Sequence, residues 1–227
     1  LSTAAIAGLD AGDLGALSSS QLGALSSVQV GAISADALGA LALESLKTLG
    51  TAQMAALSTA QINALTMEQL QALGTAQVGA LRTAQLASLS SDDLNSLTTN
   101  QFQAFSSAQI AALSSDQAAS LEAGDLAALS ARQLAGFSTA ALKAMDGSDI
   151  GQFSAAQVVG LSTAQLRAID SADISSLSEA AVAGLTSAQV GALTNEQLAA
   201  MSDGQLQALT AAQMRGLTTS QLAALNS

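Results

Sequence analysis

The chain has 227 residues, 49% of them hydrophobic, with four Phe and no Cys, His, Trp or Tyr. Seventeen acidic residues against six basic ones leave a net charge of −11, which argues against a phosphate-neutralising nucleic-acid surface and against an anionic membrane surface. The absence of Cys excludes disulfides and thiolate metal sites, and no apolar run reaches the roughly 18 residues of a transmembrane segment.

From Leu1 onward the same phrase returns every eight residues. Cutting before Leu1, Leu9, Leu17 and so on gives 28 complete octapeptides and a remainder, Leu225-Asn226-Ser227, with no insertion or deletion. The pattern is L-[ST]-x-x-Q-[LIV]-x-[AG]. Position five is Gln in 18 units and Asp in five, namely Asp13, Asp93, Asp125, Asp149 and Asp173. Position two is Ser, Thr or Asp in 23 units. Position six is large and apolar except at Ala118. The chain opens in mid-pattern and closes on a partial unit, so 1–227 is expected to be a single repeat array belonging to a longer one.

A period of eight excludes one continuous helix. Eight residues turn a helix through about 800°, so the Leu positions drift by roughly 80° per unit and leave no apolar face. A strand is disfavoured because positions one and six fall on opposite faces, and Ala outweighs β-branched residues. A helix that restarts in every unit fits all positions. Ser or Thr at position two is an N-cap. Gln at position five is then N3 and completes a capping box, while positions one and six are the partners of a hydrophobic staple. Such helices, about six residues long, are unstable alone and must lean on identical neighbours. The predicted fold is therefore all-α: an α-solenoid of about 28 very short helices, with three or four units per coil. Leu161 and Leu166 face inward, Gln165 acts only as a cap, and small residues at position eight stand at corners or where coils approach.

The departures follow in chain order. In 41–48, Ala42 cannot cap and Ser45 replaces Gln, so a longer helix is predicted over 34–47. Asp92-Asp93 is the first acidic cluster. Phe102, Phe105, Phe137 and Phe153 occupy regular core positions around the small Ala118, a compensation of volume. Asp146 to Asp149 and Asp170 with Asp173 are aspartate versions of cap and box, and DGSD is a poor match to a calcium loop. Nothing supplies a nucleophile with its base. No catalytic, cofactor-binding or metal-ligating residue is assigned, no cofactor and no small-molecule substrate are expected, and the chain does not read as an enzyme.

The phrase LSTAQ at 57–61 and 161–165, set in L-[ST]-T-A-Q-[LIV]-x-A-L, resembles the long octapeptide tracts, of the LTTAQVAA kind, in very large secreted or cell-surface adhesin-like proteins of Gram-negative bacteria. The resemblance covers the whole chain and implies an extracellular or cell-surface location. The expected role is a structural stalk, spacer or filament segment. One alternative is a repeat scaffold that binds a protein or glycan. Another is a periodic template, with Ser or Thr at position three in 16 units, that meets ice, mineral or another copy. The expected partners are a second copy or a cell-surface or host molecule, with no nucleic acid.

Overall fold

The computed structural model of the chain describes residues 2–225. Among these residues each octapeptide forms one α-helix, from α1 (Thr3–Ala7) to α28 (Thr219–Ala224), and there is no strand. The helix starts lie where the capping boxes place them. In α21 (Thr163–Ala168) the cap Ser162 is extended, with φ −69° and ψ 159°. Its hydroxyl accepts from the Gln165 N–H at 3.2 Å, and Gln165 Oε1 accepts from the Ser162 N–H at 2.8 Å. The staple partners Leu161 and Leu166 are 3% and 0% exposed. No described residue other than Gly has a positive φ, nor does any described Gly. The corners use αR and extended residues, as with Ile169 and the next cap Asp170, both extended, without left-handed backbone.

The chain divides into two compact units, Leu1–Ala112 and Leu113–Ser227. In the first, helices pack on those three octapeptides away, as α4 (Ser27–Gly31) does on α7 (Thr51–Ala56). The second repeats the rule, as with α15 (Ser115–Ala119) and α18 (Thr139–Ala144). Each unit is an α-solenoid with three octapeptides to the coil. Positions one and six supply its core, and nearest-neighbour stacking supplies its stability. Small residues stand where coils approach, as expected for position eight: a Cβ added to Gly184 would lie 2.9 Å from Ala155 Cβ. Position seven meets the same limit in places, since a Cβ on Gly79 would lie 3.1 Å from Ala104 O.

The longer helix predicted over 34–47 does not form. The chain breaks between α5 (Ala35–Gly39) and α6 (Leu43–Leu46), and Ala42 is an extended cap with no side-chain bond. The corner is held from the next coil: Gln69 Nε2 donates to Gly39 O at 2.9 Å and to Leu41 O at 2.7 Å. The break also keeps both Leu41 and Leu46 buried. The aromatic residues are core, as predicted. Phe102, Phe105, Phe137 and Phe153 are all buried, and Ala118 is 0% exposed. Phe102 and Phe105 meet edge to face with centroids 5.6 Å apart.

Candidate functional site

Helices of under two turns have a polar problem, because nearly every backbone group is at a helix end and lacks an intrahelical partner. The Gln at position five answers it at both ends. Its Oε1 accepts from the N–H of its own helix's cap, and its Nε2 donates to carbonyls 28 and 30 or 31 residues earlier. Gln61 Nε2 reaches Ile33 O at 2.7 Å and Val30 O at 3.0 Å. Gln85 reaches Leu57 O at 2.7 Å and Met54 O at 2.9 Å. In the second unit Gln189 reaches Leu161 O and Val158 O, both at 2.8 Å, and Gln197 reaches Ile169 O at 2.7 Å and Leu166 O at 2.8 Å.

One of these carbonyls belongs to the corner residue after a helix; the other lies in that helix's last turn and already accepts the corner residue's own N–H, as Val30 O does from Ile33 and Met54 O from Leu57. One side chain therefore closes a helix start and ties it to a corner of the previous coil. The expectation that Gln165 acts only as a cap is corrected here. It is 8% exposed, and its Nε2 donates to Ala135 O at 2.9 Å and Phe137 O at 2.8 Å. A buried polar group in this environment must be bonded, and Gln carries an acceptor and two donors on one planar group, which matches the task.

The Gln half of the box forms without the hydroxyl half. Gly50, Gly74 and Arg82 cap α7, α10 (Thr75–Gly79) and α11 (Thr83–Ala87) without a side-chain cap bond. Their N–H groups still donate to Gln53, Gln77 and Gln85 at 2.6–2.8 Å. Arg82 adds a tie of its own, Nη2 to Leu57 O at 2.7 Å.

Three successive helices of one column in the second unit lack Gln. The helices α16 (Ala123–Ala128), α19 (Gly147–Ile150) and α22 (Ser171–Ile174) stack on successive coils. Their units read LEAGD, MDGSD and IDSAD, with acids at positions two and five in all three. Asp146 caps α19, its Oδ1 accepting from the Ser148 N–H at 2.7 Å and the Ser148 hydroxyl at 2.6 Å. Those bonds, with one from the Asp149 N–H, hold its carboxyl below the usual range. Asp149 is 8% exposed and accepts from the Asp146 N–H at 3.1 Å. Burial pushes its carboxyl up, and the nearby charges of Asp146 and Asp173 add to the rise. Asp173 accepts from the Gly147 N–H, yet burial, then Asp170 and Asp146, push it up as well. The weak calcium-loop match at 146–149 is thus a helix cap. Among the described residues no group of three or more acidic side chains is placed to hold a metal ion.

The outer surface carries little that singles out one place. Among the described residues the one ion pair is Lys47 with Glu44, at 2.8 Å. Some large apolar side chains, such as Val28, Met67 and Val159, are exposed, which is ordinary for a protein surface. An open cleft of about 390 Å³ is lined by Arg167, Thr194, Glu196 and Ser220 among others. Glu196 is held below its usual range there by its own backbone N–H and the Thr194 hydroxyl. No described helix is long and apolar enough to cross a membrane.

No curated protein matches the chain. The family model of the ALTTAQ repeat matches it five times, over residues 6–43, 42–75, 86–122, 118–153 and 166–203. The matched stretches carry the cap, Gln and staple positions described above, they fall in both compact units, and together they cover well over half of the chain: it belongs to the ALTTAQ repeat family.

Proposed function

We propose that this array is a structural element, a stalk, spacer or filament segment of a bacterial surface or secreted protein, and that it is not an enzyme. The observation that carries the reading is the tie at position five. The same side chain, in the same geometry, joins coil to coil along both units, so the sequence is devoted to making a periodic body. The chain also lacks the His, Cys and Tyr with which most nucleophilic and general-base sites are built. A binding scaffold would show aromatic or Arg anchors clustered on one face, whereas all four Phe are in the core. The extracellular location rests on the resemblance of the repeat to adhesin-like tracts, and the cysteine-free composition is compatible with export.

The test compares chains with blocks of three octapeptides removed or added. A spacer changes its end-to-end distance in solution scattering by a constant step per block, and replacing exposed residues at positions three and four leaves its behaviour unchanged. Retention of one glycan or host protein by the array, lost on substitution of particular exposed residues, would replace this reading with the scaffold.

A further inference from the structure

We infer that the acidic column on α16, α19 and α22 is a proton-responsive joint: deprotonated it is the loosest seam of its unit, and mild acid tightens it. Three observations carry this. First, Asp149 and Asp173 stand where Gln elsewhere ties the coils. A Gln at 149 would address Leu121 O and one at 173 Met145 O, by the 28-residue rule of Gln165, Gln189 and Gln197. A carboxylate has no hydrogen to donate and is one methylene too short to reach.

Second, the column is crowded with like charge. The ionisable groups on α16 and its cap are Asp125 and Glu122. Those on α19 and its cap are Asp149 and Asp146, and those on α22 and its cap are Asp173 and Asp170. The helix packed on the far side of α22, α25 (Asn195–Ala200), adds Glu196. None of these elements bears a Lys or Arg. Among the described residues, Lys143 and Arg167 on the preceding helices form no ion pair with Asp149 or Asp173.

Third, the charges are brought in close. Gly147 leaves the space: a Cβ there would lie 3.4 Å from Asp173 Oδ1 and would run into the Ser176 hydroxyl. Asp149 is itself more than nine-tenths buried. A carboxylate so placed is penalised by lost hydration and by its neighbours, and protonation removes both penalties.

The sign follows from linkage. Asp149 and Asp173 titrate above their ordinary value of 3.8. Their stabilising, protonated state is gained as pH falls through their folded values toward 3.8 and is lost as pH rises. Asp146 titrates below 3.8, so its cap bond is kept above that value and lost below it. The joint is therefore tightest in mild acid, on the high side of 3.8.

Native-state amide exchange on the full chain tests this, with rates corrected for intrinsic pH dependence. As pH falls from neutral toward 3.8, protection in α19 and α22 should rise severalfold, while α21 and α24 (Ser187–Ala192), the latter tied by Gln189 to the corner before α21, stay unchanged. The double variant Asp149→Asn, Asp173→Asn keeps both acceptor oxygens. It should show the acid-level protection already at neutral pH, with no further rise. The inference is overturned if α19 and α22 respond no more than α21 and α24, or if the double variant keeps the wild-type response.

Discussion

Two seams of the second unit run side by side with the same 24-residue period. Gln165, Gln189 and Gln213 each close a helix start and donate to the carbonyls of an earlier corner. Asp149 and Asp173 close a helix start or take up an N–H, and donate nothing. The two seams share staples and core positions, and differ at position five, where Asp lacks the amide's hydrogens and is one methylene shorter. Local signals decide where each helix begins, and the donors on position five decide whether the coil beneath is tied down.

The largest expected effect comes from the core the two seams share. Leu166→Asp puts an unpaired charge at a position with 0% exposure. It should cost several kcal/mol, about 3–5 by analogy with other uncompensated buried charges, and denaturant unfolding should show the second unit lost. Next is Gln189→Ala, which leaves the Thr186 N–H and the Leu161 carbonyl without the Gln, while Val158 O keeps the Leu161 N–H. At about 1–3 kcal/mol for each buried group left unpaired, with some relief by water, a loss of about 2–4 kcal/mol is expected in the same assay. Thr186→Ala removes only the hydroxyl half of that box and should cost about 1 kcal/mol. A cost equal to that of Gln189→Ala would mean the box, not the tie, holds the coil.

A deletion series sharpens the comparison at the level of the period. Removing 161–168 restores the register of every following cap and tie, and should cost about one unit's share of stability. Removing Ala164 alone shifts Gln165 away from both Ser162 and the Ala135–Phe137 corner. Thermal melts should show the one-residue deletion to be the more damaging.

Much of this was legible in the sequence. Leu161, Ser162, Gln165 and Leu166 announce staple, cap and box within six residues, because those interactions are local. The number of units per coil was only bracketed, since corner angles depend on packing rather than on any residue. The tie was missed because its partners lie 28 to 31 residues away, at carbonyls that no side chain marks. The same omission produced the wrong helix over 34–47: Ala42 carries no stop signal, and the stop is Gln69, one coil on. The acidic column was visible as separate clusters at 146–149 and at 170 and 173. Its alignment with Glu122 and Asp125 appears only once three octapeptides are known to make a coil.

The substitution Gln189→Glu tests the central claim most directly. Glu keeps an oxygen for the Thr186 N–H and adds a negative charge at a helix start, which by itself is neutral or favourable by about 0.3–1 kcal/mol. It removes only the hydrogens that reach Val158 O and Leu161 O. If position five ties coil to coil, the urea midpoint of Gln189→Glu at neutral pH falls at least as far as that of Gln189→Ala. A midpoint equal to or above the wild type would show that the residue serves its own helix alone, and would contradict the account.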